Sequence, residues 1–335
     1  MSRALIVHRI SPGATLQDMG RPGWLTEGLS RGGAADQLAL AEGTALLGQP
    51  GAAALELIGT GGEFEATEDI RIALTGAPMT ATLDGGSLSW NASHPMPAGA
   101  RLSLGGVRSG TYGYLHVGGG FAMPETLGSQ SAHLTAGIGT PVTAQSKLPV
   151  GPDSGGLTGQ LLDVPDRFTG GDIRITESFQ SHLFPPETRA RFETTPFRRA
   201  ARGNRMGLRL DSDGDGFALQ QGRNVLSETI LPGDIQITGD GTPFVLLAEC
   251  QTTGGYPRIG TVLPCDLPKV AQAAPGAPLR FRFVPLDEAV ELERQEAARR
   301  AALPGTLRPL IRDPASMHDL LSYQLISGMI TGDEE

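Results

Sequence analysis

The chain has 335 residues and a formal charge of −9, too long for one ordinary domain of ~150 residues. It holds 47 Gly and 25 Pro yet 39% hydrophobic residues, which excludes a disordered chain and points to a turn-rich, mainly β protein. The acidic balance argues against nucleic acid as a partner. No apolar run approaches the ~20 residues of a membrane span, and residues 1–9 begin like a strand and not like a signal peptide, so no membrane association and a cytoplasmic location are expected.

In chain order, a helix is expected over 35–47, where apolar residues recur at helical spacing and Gly48 gives a stop signal. Residues 70–76 alternate as a strand. Residues 81–91 read as a hairpin around Asp84-Gly85-Gly86, suited to positive φ. Strands follow at 101–107 and 112–117. The stretch 143–171, rich in Gly, Pro, Ser and Asp, reads as the link between two halves. Further strands are expected at 207–211, 216–220, 235–239, 244–249 and 279–284. A helix over 286–302 has acids early and arginines late, matching the helix dipole, and a second C-terminal helix is expected over 316–329.

Familiar motifs are missing. There is no Gly-Lys pair and so no Walker A loop, and no His-Glu-x-x-His. Cys250 and Cys265 make neither a disulfide framework nor a zinc site. Neither lysine, Lys147 or Lys269, has a biotin-acceptor setting. Asp211-Ser212-Asp213-Gly214-Asp215-Gly216 fits half of a calcium loop, but the position that needs Glu is Gly222, so an acidic turn is expected and no metal is assigned.

Four constellations could carry chemistry. Gln17-Asp18-Met19-Gly20-Arg21 puts a carboxylate beside an arginine in a turn. Asp18 could act as a base or position Arg21, which suits a carboxylate or phosphate, or the pair could simply lock the loop. Gly32-Gly33-Ala34-Ala35-Asp36 enters a helix, where free N–H groups bind anions and an Asp also stabilises the helix. Between 189 and 209 lie seven arginines, of which Asn204-Arg205-Met206-Gly207 stands out; most of the seven read as a solvated surface. Gln251-Thr252-Thr253-Gly254-Gly255-Tyr256-Pro257 follows an apolar strand and offers amide, hydroxyl and phenol groups beside glycines, a lining for a small polar ligand.

Together with 54–57, 127–129, 231–236 and Ala271-Gln272, these segments resemble the carboxyltransferase-type family that takes in the C subunit of 5-oxoprolinase, allophanate hydrolase subunit 2 and KipA, in the family's order from about residue 4 to about 295. The resemblance implies two cyclophilin-like β-barrel subdomains, here 1–150 and 151–303, followed by a helical extension at 304–335. It implies B-type and A-type partner subunits and ATP-dependent opening of 5-oxoproline, a lactam, to glutamate, with ATP bound by this chain or with its partner. On that reading Asp18, Arg21, Asp36, Arg205 and Gln251 are catalytic. Arg21 and Arg205 suit phosphate or carboxylate, Gln251, Thr252 and Tyr256 the lactam amide, and Asp18 or Asp36 a cation or proton. Gln17, Gly33, Asn204, Met206, Thr253 and Gly255 complete the binding set.

The chain departs from the family pattern at 136–141, where a Gly-Gly-x-x-Gly-Arg segment is replaced, at 173–178, and at Ala35, where Met or Leu is common. These changes leave the substrate open. One alternative is the carboxyltransferase subunit of a biotin-dependent urea or amide carboxylase, with biotin supplied by another protein. Another is a regulatory module that sequesters a partner. The extension reads equally as a docking helix or as packing on its own barrel.

Overall fold

A computed structural model describes residues 3–219 and 225–311. The mainly β expectation holds, with few helices. In the first half, one sheet has the strand order Lys147–Pro149, Ala4–Ile10, Gly62–Ala66, Arg101–Val107, Met79–Leu83 and Gly86–Ser87. The other runs Thr15–Gln17, Ala54–Ile58, Tyr112–Val117, Ile70–Gly76, Ala92–Met96, Gln160–Leu161 and Arg308–Pro309. Leu5, Val7, Phe64 and Leu102 of the first sheet share one core with Leu55, Leu57, Ile72, Leu74 and Leu115 of the second.

Strand Ile70–Gly76 is buried at every position although its sequence alternates. Its polar residues face helix α1 (Gln37–Leu47) and hold it there: the Thr75 hydroxyl donates to the Ala39 carbonyl at 2.9 Å, and Arg71 Nη1 donates to the Leu47 carbonyl, also at 2.9 Å. Under the same helix lies His116, 2.8 Å from Thr75 Oγ1, its pKa pushed down to about 3 by burial. An added Cβ at Gly43 would sit 2.2 Å from the His116 ring, so a glycine is required at that helical position. The α1 stop is Gly48, at φ 59°.

The second half is a closed barrel of seven strands: Gly171–Thr176, Arg258–Val262, Asp234–Ile237, Pro243–Leu246, Gly207–Asp211, Phe197–Asn204 and Pro278–Phe283. The last strand closes on the first in parallel, Leu279 opposite Gly171. Phe192, on helix α2 (Pro186–Thr194), stacks with Phe197, Phe217 and Phe281 at ring distances of 4.8, 5.2 and 5.4 Å. Two more helices follow, α3 (Leu267–Gln272) and α4 (Leu286–Ala302).

Several expectations change. Residues 216–219 form no strand; Phe217 turns into the barrel core while Arg191 lies over its ring. The stretch 143–171 is more than a link, because Lys147–Pro149 and Gln160–Leu161 add strands to both sheets of the first half. Helices α2 and α3 go unforeseen: α2 buries only Phe192 and so lacks an apolar stripe, and α3 has six residues. The hairpin after strand Met79–Leu83 turns at Asp84 and Gly85, both at positive φ, as read from the sequence. At the start of the extension 304–335, Leu303–Thr306 form a 3-10 turn and Arg308–Pro309 a strand; the expected helix over 316–329 lies outside the described residues.

Candidate active site

The proposed site residues gather where the loop after the first short strand meets the barrel. Glycine makes this possible. Gly33 sits at φ +87°, and a Cβ there would strike Gly20 N at 2.7 Å and Met19 C at 2.8 Å, so two backbone segments touch where only glycine fits.

Asp18 holds this loop. Its carboxylate accepts from the Ser129 hydroxyl at 2.6 Å, the Ser131 hydroxyl, and the N–H groups of Gly20 and Gln130 at 2.8 and 2.7 Å. Burial pushes its pKa up, but these donors outweigh burial and hold it below the usual carboxylate value. A folded-state pKa below the unfolded one means that the Asp18 contribution is present above the ordinary carboxylate pKa and lost as pH falls through its lowered value. Asp18→Asn, which puts an amide donor among donors, is expected to lower stability by about 1–3 kcal/mol at neutral pH. Denaturant unfolding at a series of pH values should show its gap from wild type closing in acid.

Arg21 is completely buried. Nε donates to the Thr126 carbonyl at 3.3 Å and Nη2 to the Ser131 carbonyl, while Nη1 has no acceptor among the described residues. Burial pulls its pKa down against the opposing pull of Asp18 and Glu249.

Two buried ion networks join the halves. Arg205 is satisfied on all three nitrogens: Nε donates to Glu249 Oε1 at 2.6 Å, Nη1 to Glu56 Oε1, and Nη2 to the Gly33 carbonyl. Burial disfavours its charge, but Glu56 and Glu249 outweigh burial and raise its pKa. The other oxygen of Glu56 accepts from the Tyr114 hydroxyl at 2.7 Å and the Ala35 N–H at 2.8 Å. In the second network, Asp36 caps α1 by accepting from the N–H groups of Leu38 and Ala39, both at 3.1 Å. Its second oxygen accepts from Arg167 Nε at 2.7 Å and Gln272 Nε2 at 2.8 Å. The two Nη atoms of Arg167 grip Glu42 at 2.8 and 2.7 Å. Asp36 and Arg205 thus face each other's half of the chain and not open space.

The remaining candidates line openings. Asn204, Met206, Gln251 and Tyr256 border a cavity of about 660 Å³. Gln251, Thr252 and Thr253 border a second, of about 430 Å³, lined also by Ser30, His133 and Glu249. Arg21 and Ser30 border a third, mostly apolar, of about 440 Å³. Gln251 and Cys250 belong to the first two and Ser30 to the last two, so the openings adjoin. Gly255 is exposed beside this rim. Gln17 is buried away from it, its amide donating to Thr15 Oγ1 and the Ala132 carbonyl at 2.9 and 3.0 Å. Asn204 Oδ1 closes its own turn on the Met206 N–H at 2.8 Å. The Cys250 thiol is pushed up to about 12, by burial first and then by Asp234, which keeps it protonated.

The sequence reading missed His133, Glu249, Glu56, Arg167 and Gln236. Gln236 is buried on the wall of the 660 Å³ cavity, and its Nε2 has no acceptor among the described residues. For two of these a signal exists: Glu56 within Ala54-Leu55-Glu56-Leu57 and Glu249 after Phe244–Ala248 are lone acids in apolar runs, which demand a buried cation. Of the seven arginines from 189 to 209, Arg198 and Arg209 pair with Asp213 and Asp211. Arg191 donates to the Asp215 and Gly216 carbonyls. Only Arg205 joins the site's ion network.

Residues 27–283 match a family model described as carboxyltransferase domain, subdomain A and B. The chain is 34% identical over 287 residues to the C subunit of 5-oxoprolinase from Escherichia coli (strain K12), covering 84% of this chain and 92% of that protein. It is 26% identical to the urea amidolyase of Lachancea kluyveri, covering 90% of this chain but 18% of that one. The crystal structure of the K. lactis urea amidolyase superposes with a TM-score of 0.82 at 21% identity, over 94% of this chain and 21% of that one, a likeness of fold.

Proposed function

The chain belongs to the carboxyltransferase domain family, subdomain A and B, and from that premise we propose that it is the C-type subunit of an ATP-dependent 5-oxoprolinase, working in a cytoplasmic complex with B-type and A-type subunits. The observation that carries this reading is the match to the C subunit of a 5-oxoprolinase across nearly the full length of both chains. The urea amidolyase of Lachancea kluyveri, by contrast, is a far longer protein of which this chain matches a small part.

The site supports an amide substrate. Gln251 stands on the rim shared by two cavities, next to Thr252 and Thr253 on one side and Asn204, Met206 and Tyr256 on the other. Amide, hydroxyl and phenol groups supply both donors and acceptors to a lactam's C=O and N–H. The orphan Nε2 of Gln236 adds a buried donor on the same wall. For nucleotide the fit is partial. Arg205 is consumed by two carboxylates, which leaves Arg21 Nη1 as a buried, unpaired cationic donor on the lining of the third cavity. That suits one carboxylate or phosphate oxygen better than a triphosphate, and we place ATP chiefly with the partner subunits.

Co-expression with A-type and B-type subunits should give ATP-dependent glutamate release from 5-oxoproline that vanishes when this chain is omitted. No release from a well-formed complex would overturn the reading. Gln251 is exposed, so Gln251→Ala should cut turnover in that assay at least tenfold, equivalent to about 1.4 kcal/mol, with an unchanged melting temperature. Near-wild-type turnover would remove Gln251 from the site. The second reading, carboxyl transfer to urea from a biotin carried by another protein, is favoured by the urea amidolyase match and is tested by urea and a biotinylated carrier in the same complex.

A further inference from the structure

We propose that Ser30, His133 and Glu249 form a nucleophile, base and orienting acid for acyl transfer, with Arg21 as the donor to the developing oxyanion. The inference rests on the amide-processing reading above and concerns amide cleavage alone, leaving the nucleotide step to the partner subunits. Ser30 Oγ lies 2.8 Å from His133 Nε2. Glu249 Oε2 lies 4.0 Å from His133 Nδ1. Serine, imidazole and carboxylate are each about 4% exposed, and all three line the 430 Å³ cavity beside Gln251. They come from three distant parts of the chain, and the carboxylate's other oxygen is fixed by Arg205 Nε. Nucleophile next to base, and base next to an anchored acid, is the arrangement that activates a hydroxyl.

Arg21 supplies an independent observation. Its Nη1 is buried without an acceptor among the described residues, and Arg21 shares the 440 Å³ cavity with Ser30. A Cβ added to Gly32 would lie 3.2 Å from His133 Cδ2 and 3.5 Å from Arg21 Nη1. Imidazole and guanidinium therefore flank one small space, kept open by a glycine at φ +63°. A buried N–H without a partner, beside a candidate nucleophile, is placed to receive negative charge.

In the resting geometry the Ala136 N–H donates to His133 Nδ1 at 3.3 Å, so the neutral ring carries its proton on Nε2, toward Ser30 Oγ. Engagement breaks that bond: the ring proton moves from Nε2 to Nδ1, which comes about 1 Å closer to Glu249, to hydrogen-bond distance, a tightening common when a ligand fills such a site. Nε2 is then free to take a proton. Ser30 Oγ bonds to the amide carbonyl carbon while its proton passes to Nε2, and the carbonyl oxygen, now negative, faces Arg21. The C–N bond breaks, nitrogen takes the proton from Nε2, and Ser30 is left acylated. In a lactam the freed amine stays on the acyl chain. Water then attacks the ester carbon, gives a proton to Nε2, and Ser30 Oγ leaves with that proton.

The groups facing His133 are Glu249, Ser30, the Ala136 N–H, Arg21 and Arg205. Burial and the two arginines lower its pKa while Glu249 raises it, with a net lowering, so the ring is a neutral base at physiological pH.

The test is labelling of the isolated chain by a fluorescent fluorophosphonate, read by intact mass and peptide mapping. It needs neither nucleotide nor partner, so it stands apart from the glutamate-release assay. A single adduct is expected on Ser30, absent in Ser30→Ala. His133→Gln should slow labelling about 100-fold or more. The wild-type rate should fall in acid with a midpoint below the ordinary histidine value. No adduct, an adduct only on another residue, or an unchanged rate in His133→Gln would overturn the proposal. Should His133→Gln melt early, the wild-type pH profile decides: a rate rising with hydroxide alone, with no inflection below neutrality, also overturns it.

Discussion

Arg205→Ala is expected to destabilise the folded chain by about 3–5 kcal/mol, the cost of stripping one partner from a buried ion network. The side chain bridges Glu56 in the first half, Glu249 beyond the barrel strand Pro243–Leu246, and the Gly33 carbonyl, all buried. Its removal leaves two carboxylates facing each other without a cation. Chemical denaturation should show the loss directly. Arg205→Met combined with Glu56→Gln should recover part of it, because only Glu249 is then left without its cation. Loss of activity in Arg205→Ala at unchanged stability would instead return Arg205 to the role of a substrate-binding cation.

Arg167→Met is expected to cost a similar amount, about 3–5 kcal/mol at neutral pH, the range for breaking a buried pair, with a distinctive pH dependence. Arg167 is the cation for both Asp36 and Glu42. Burial already raises the Glu42 pKa, against the opposing pull of Arg167. A carboxyl whose folded pKa is raised makes the native state hold its proton more tightly than the unfolded chain, so its contribution weakens as pH rises past the ordinary carboxylate value. Without Arg167 that penalty grows at neutral pH and disappears where Glu42 is protonated in both states. Unfolding midpoints of Arg167→Met and wild type should therefore diverge near neutrality and converge in acid. A gap independent of pH would mean that the loss is one of packing alone.

Much of the fold was legible because it is written locally. The strands at 70–76, 101–107, 112–117 and 207–211 and the helix over 286–302 fall on the expected residues, since alternation, glycine turns and dipole-matched charges act within a few residues. Phe217 shows where locality fails: its coil segment resembles a strand, but the residue is drawn in by aromatic rings remote in sequence or on another element. The site divides in the same way. The Gln251–Tyr256 block announces itself by composition and lies on a cavity rim. Asp18, Asp36 and Arg205 were conspicuous as charged residues beside glycines, yet their partners, Ser131, Arg167 and Glu56, lie over a hundred positions away. No local pattern distinguishes a charge awaiting a ligand from one already satisfied by its own fold. His133 was invisible for the converse reason: nothing around it in sequence hints at Ser30 or Glu249.

The parallel pairing of Gly171–Thr176 with Pro278–Phe283 sets a timetable for the growing chain. The first barrel strand to leave the ribosome has to wait for the last, more than a hundred residues later, before one of its edges is covered. Until then Phe192 and Phe197 lack Phe281, and two strand edges, on Gly171–Thr176 and Phe197–Asn204, stand open to other chains. A nascent chain halted short of residue 278 is thus a sticky intermediate, and Arg308–Pro309, made later still, then returns to Gln160–Leu161.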